Sequence, residues 1–432
     1  MPANSRPADR SVESAFVITA AGISYAATLV INVAVARLLD PVGYGEYSAA
    51  VAMSLLICTC ATLGLEKYAL RLLPEFLRDN AIAKVRGFIL FGAILTVGGG
   101  AALGFGARTA YDQWGQHSSG IRVLEQMLWY VPVMALFLFM VEVAATFGSA
   151  IASTTIYRLV LPVLMLVGIA PHIMQGLTAD EAVEIYGGAW VVSLAILGVY
   201  IAITAPKRFY SGGISVEPRL WVTHGMGYLS LSVMITLLTQ STILVLEIFK
   251  GDRAGVALLS ASLQIAGLAV IIQTSTMRIF APELARRVAA KDLNGQRELL
   301  RRRGRAMVVL GGILLLLVMQ FGREFLGLFG QNYREAYSTV VLLTFGNVVY
   351  IALGSAPVFL QFHGRHRLAL AWAAAGTVIA FTAVVVAADF GDYATVAQVY
   401  TAALVLFCVG MEIAARLVAR SLAREQRQSS AV

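Results

Sequence analysis

Two ionisable residues, Glu142 and Arg158, stand inside apolar stretches of this chain. A charged side chain at membrane depth costs about 2.5–3.5 kcal/mol on insertion scales, so each is a candidate for function. Glu142 lies six residues before Gly148, and Arg158 lies ten after it. If Gly148-Ser149 turns between two helices, a rise of about 1.5 Å per residue puts the two within about 6 Å in depth. Long side chains bridge that gap. The pair reads either as an internal ion pair fixing a helical hairpin, or as a gate or proton-linked coupling switch centred on Glu142.

A second set is basic. Lys67 and Arg71 close the second apolar stretch and Arg278 closes the eighth, each ahead of a Pro-Glu dipeptide, Pro74-Glu75 and Pro282-Glu283. Arg37 ends the first stretch. Guanidinium suits bidentate phosphate contacts, so around a cavity these cations would hold an anionic headgroup. The same residues also read as cytoplasmic topology anchors. Asn32 and Gln240 occupy matching places about 208 residues apart, as do the two Pro-Glu pairs, which suggests an internal repeat.

Soluble catalytic signatures are missing: there is no Walker loop, HExxH, nucleophile elbow or dinucleotide fingerprint. No catalytic residue, metal ligand or cofactor is expected, and the chain does not read as an enzyme. Cys58, Cys60 and Cys408 lie in apolar stretches as packing residues, and five histidines form no relay pattern. Glu125, Glu247 and Glu412 fall near stretch ends, at the interface.

The elements that must position these residues follow from composition. With 58% hydrophobic and 13% charged side chains, the chain needs lipid as its solvent. Twelve stretches long enough to span, from Ala15–Ala36 to Val396–Ala419, predict an all-α polytopic membrane protein in two six-helix lobes. The expected boundaries are a tail at 1–14, a first lobe at 15–205, a linker at 206–224, a second lobe at 225–419 and a tail at 420–432. With the amino terminus inside, 25 Lys and Arg fall on inner segments and seven on outer ones. That asymmetry predicts tails and linker on the cytoplasmic side. The basic loop between Met277 and Ala306 then faces anionic lipid as a topology anchor, and no nucleic-acid partner is expected.

The segment ARLLDPVGYGEYSAAVAMSLLICTCATLGLEKYALRLLPEF, Ala36 to Phe76, resembles the first hairpin of the polysaccharide-unit flippases of the multidrug/oligosaccharidyl-lipid/polysaccharide exporter superfamily. APELARRVAAKDLNGQRELLRRRGRAMVVLGG and FLGLFGQNYREAYSTVVLLTFGNVV, within Ala281 to Val349, are similar to the family's eighth-to-tenth helix region. The resemblance implies a V-shaped pair of lobes in a bacterial inner membrane. These would move an undecaprenyl-pyrophosphate-linked oligosaccharide from inner to outer leaflet by alternating access, for lipopolysaccharide or exopolysaccharide synthesis. It further implies a proton or sodium gradient as driving force, and a polysaccharide polymerase and chain-length machinery as partners. Arg71 matches the family's arginine, Arg278 lies one residue out of register with it, and Asp40 stands where the family has glycine. The alternatives are a multidrug or cation antiporter of the same superfamily, whose cavity should favour acids, and a membrane-embedded glycan polymerase or ligase, which should carry large outer loops.

Overall fold

The computed structural model describes residues 7–114, 120–147, 150–205, 207–210, 213–290 and 292–429. Among the described residues the regular structure is helical throughout. The chain runs α1 (Pro7–Leu38), α2 (Pro41–Ala61), α3 (Leu65–Arg78), α4 (Ile82–Trp114), α5 (Gly120–Leu128), α6 (Val131–Phe147), α7 (Ala150–Thr155), α8 (Leu161–Ile169) and α9 (Ala179–Thr204). It continues with α10 (Pro218–Val245), α11 (Arg253–Ala266), α12 (Leu268–Ala289), α13 (Leu293–Gly327), α14 (Tyr337–Leu353), α15 (Ala356–Phe362), α16 (His366–Phe390) and α17 (Tyr393–Ser429). Ten helices in the described residues are long and apolar enough to cross a membrane. The pair Arg122–Leu128 and Val131–Phe147, bent by 44°, adds an eleventh if it is one span, and Gly22–Leu38 is a shorter apolar helix. The predicted all-α polytopic class is what the chain adopts.

Packing divides the chain into two compact units, Ala26–Ala257 and Met1–Tyr25 with Leu258–Val432. In the first, α3 packs on α6, α4 and α10. Its apolar face, Leu65, Tyr68, Ala69, Leu72 and Leu73, recurs at helical spacing and joins Phe88, Phe139, Val143 and Trp221 in one core. Lys67, Arg71 and Glu75 fall on the opposite, exposed face. In the second unit, Phe280 and Leu284 of α12 pack with Phe359 and Leu360 of α15 and Met411 of α17.

Capping explains where helices begin. Asp40 accepts a hydrogen bond from the Gly43 amide at 2.8 Å and opens α2 with Pro41 behind it. Asp252, Asp292 and Asp392 accept in the same way from the third following amide, Gly255, Gly295 and Thr395. The α2–α3 break sits at Gly64, with φ +71. A Cβ there would lie 2.3 Å from the Gly225 carbonyl oxygen and 2.4 Å from the Leu229 amide nitrogen, so both the backbone turn and the close approach of α10 require glycine. Gly45 serves α11 similarly, since its Cβ would meet the Arg253 carbonyl oxygen at 2.0 Å.

The in-span prolines mark irregularities. Pro132 follows the α5–α6 bend, and Pro357 opens α15 after the break behind α14. Pro162 follows a π-helical segment, Ile156–Val160. A proline lacks its N–H and its ring presses on the carbonyl four residues back, here that of Arg158. Widening to π geometry relieves that clash, and such segments concentrate at functional sites.

Candidate functional site

The site in unit Ala26–Ala257 is built by α3, α6 and the π segment. Lys67 Nζ donates to Glu142 Oε1 at 2.7 Å, tying α3 to α6, and Glu142 is the less exposed partner, at 19% against 48%. This corrects the expected Glu142–Arg158 pair. Depth along two consecutive helices put Arg158 within reach, but α6 turns its Val143 and Phe139 into the core shared with α3, which brings Lys67 alongside Glu142. The turn at Gly148-Ser149 lies outside the described residues. Arg158 is half-buried on the π segment and makes no ion pair among the described residues. Tyr157 beside it lies within electrostatic reach of Arg158, Lys67 and Glu142 together.

Sequence reasoning missed Glu66. It lies on the inner arc of α3, buried, with Oε2 lacking a hydrogen-bond partner among the described residues. Burial pushes its carboxyl above the usual carboxylate range, against the opposing pull of the Thr62 side chain and of Lys67. The signal was available, because Glu66 falls between Leu65 and Ala69 on the face the apolar period predicts to be buried.

The other expected residues separate. Arg71 is exposed, one turn beyond Lys67 on the same face of α3, without an ion pair among the described residues. Arg37 is exposed in the last turn of α1, where its charge suits the carbonyl end of the helix. Asn32 is held locally, donating to the Thr28 carbonyl at 2.8 Å and accepting from the Tyr44 hydroxyl at 3.3 Å. Gln240 is half-buried on α10. Arg278 belongs to α12 in the other unit, and its side chain lies outside the described residues.

Glu247, expected near a stretch end, belongs to a further buried ionic cluster. Arg253 Nη1 meets Glu46 Oε1 at 2.6 Å, and its Nε lies 3.7 Å from Glu247 Oε1, with all three side chains 10–11% exposed. The cluster joins α2 to the start of α11 and to a second π segment, Leu246–Lys250. Its charges are committed to one another, which suits a structural tie better than a cargo site.

No family model matches the sequence, and no curated protein matches it significantly. Among solved structures, the chain is similar to an inward-facing multidrug resistance MATE family transporter of the MOP superfamily, with TM-score 0.75 and 12% identity over 93% of this chain and 96% of that one. It is similar to a Vibrio cholerae MATE transporter at TM-score 0.56 and 16% identity, over 95% and 96% of the two chains. A Pyrococcus furiosus MOP superfamily transporter, described as having a binding pocket of reverse polarity that suggests a different function, matches at TM-score 0.56 and 12% identity over the same shares. The fold is therefore that of the MATE transporters of the MOP superfamily, along nearly the whole chain.

Proposed function

We propose that this chain is a membrane transporter that moves an amphipathic cargo by alternating access. The observation that carries this is the whole-length likeness of fold to MATE transporters. A fold does not fix a cargo, so cargo has to be argued from the site. The better supported reading is a multidrug-type exporter, because two of the structures this chain resembles are those of a multidrug resistance MATE family transporter. Under it, Glu66 and Glu142 are the carboxylates at which protonation and a cationic cargo compete, with Lys67 as the resident counter-ion of Glu142.

One observation favours the second reading, a flippase for an undecaprenyl-pyrophosphate-linked oligosaccharide. Arg71 and Arg158 carry charges that no described carboxylate neutralises, and guanidinium is suited to a diphosphate. The reverse-polarity pocket described for the Pyrococcus furiosus protein is a precedent for a different cargo charge within this fold. This reading places both termini in the cytoplasm of a bacterial inner membrane, beside the polymerase and chain-length machinery.

Two assays separate the readings. Reconstituted into proteoliposomes under an imposed proton or sodium gradient, the exporter accumulates a cationic dye such as ethidium, and Glu142→Gln abolishes that uptake. If the flippase reading holds, dye does not accumulate. A deletion strain then builds up undecaprenyl-linked glycan that is labelled only after lysis, and the wild-type gene reverses this. Negative results in both assays would remove the transporter proposal.

A further inference from the structure

Unit Met1–Tyr25 with Leu258–Val432 contains a groove of about 990 Å³ between α13, the α14–α15 junction and α17. One wall carries Arg297, Arg301 and Arg305, spaced four apart on a single face of α13. The facing wall carries Arg416 and Arg420, again four apart, on α17. Against these five cations the lining offers one carboxylate, Glu412, already bound to Arg416 at 2.8 Å. Arg305 has a partner outside the lining, Glu298 at 3.5 Å. Arg297, Arg301 and Arg420 are exposed and have no ion pair among the described residues.

A concavity lined by one sign of charge focuses the field and draws in a counter-ion, here an anion. The remaining lining identifies the anion. Next to the arginines, the groove continues over Val308, Val309, Leu353 and Phe359, and Val308 and Val309 are 58% and 60% exposed on a helix whose apolar window buries only 17% of its residues. Free phosphate has no use for that apolar wall, whereas a phospholipid places its headgroup on guanidinium and its acyl chain on valine and phenylalanine. The location suits this, because α13 enters its apolar stretch at Ala306 and α17 leaves its own near Arg416, so the groove opens at headgroup depth.

We propose that this groove is a binding site for an anionic phospholipid, with the phosphate held by Arg297, Arg301 and Arg420 and an acyl chain lying along Val308 and Val309. The site is separate from the Lys67–Glu142 cluster and does not depend on which cargo the protein carries. Basic side chains near anionic lipid contribute about 1 kcal/mol each, about fivefold in affinity. Removing three therefore weakens binding about a hundredfold.

The test is native mass spectrometry of the full-length protein in detergent micelles, titrated with phosphatidylglycerol, phosphatidylcholine or inorganic phosphate. Wild type retains phosphatidylglycerol over phosphatidylcholine, and Arg297→Gln/Arg301→Gln/Arg420→Gln loses at least tenfold in its affinity. A control, Arg219→Gln/Arg365→Gln/Arg367→Gln, removes three exposed arginines outside the groove and changes that affinity less than twofold. If the groove variant does not fold, Arg301→Gln alone gives about a fivefold loss. Equal losses in groove and control variants, equal retention of the two lipids, or complete displacement of phosphatidylglycerol by equimolar inorganic phosphate would each overturn the proposal.

Discussion

Replacing Arg253 by methionine tests whether burial decides the strength of the ionic contacts in this protein. The substitution keeps most of the side-chain volume and removes the charge facing Glu46 at 2.6 Å and Glu247 at 3.7 Å. At an effective dielectric of about 20, those separations correspond to attractions of about 6 and about 4.5 kcal/mol. Most of that offsets the cost of taking three ions out of water, so the intact cluster is worth little net. Breaking it is different, because two carboxylates about nine-tenths buried are left facing each other. The expected loss is about 3–5 kcal/mol. Lys67→Met provides the comparison: its contact with Glu142 is equally short, but Lys67 is 48% exposed, so the expected loss is about 1 kcal/mol or less. Unfolding in mixed micelles titrated with SDS, followed by tryptophan fluorescence, measures both. In the cycle with Glu46→Gln, the double variant should be less destabilised than the sum of the single ones by about 1–3 kcal/mol. An Arg253→Met loss no larger than that of Lys67→Met, or strict additivity with Glu46→Gln, would refute the argument from burial.

Asp40→Ala removes the cap of α2 and should cost about 1 kcal/mol in the same assay, with Asp40→Asn restoring most of it; equal losses in both would mean the cap contributes nothing. Burial raises the Glu66 carboxyl, so its neutral form is the one the fold prefers. Its contribution is therefore fully present below the ordinary carboxylate value and is lost as pH rises through the raised one, and Glu66→Gln should flatten the stability profile across that window. An unchanged profile would remove Glu66 as its source. Arg158→Gln and Arg71→Gln should each reduce transport with expression and unfolding midpoint unchanged if the cargo is anionic. Arg158→Lys should rescue only partly, because an ammonium lacks the bidentate fork, and full transport in both glutamine variants would leave the multidrug reading alone.

What could be read before folding was what depends on neighbours in sequence. Hydropathy over about twenty residues set the helical class and the spans, because lipid leaves backbone groups no partner but their own helix. Pro162 marked the irregular turn that carries Arg158, and the alternation within Leu65–Leu73 marked the buried face of α3, Glu66 included. Asp40, given no role in the sequence analysis, caps α2 through the nearby Gly43 amide. The ionic partners were of another kind. Glu142 chose Lys67, 75 residues away, over Arg158, and Arg253 reached Glu46, 207 residues away. Such choices depend on which face each helix turns toward its neighbour, and sequence spacing gives depth along a helix but not its rotation against another. The arginine groove has the same origin: Arg301 and Arg420 belong to helices distant in the chain, and only the packing of α13, α15 and α17 brings their charges around one cavity.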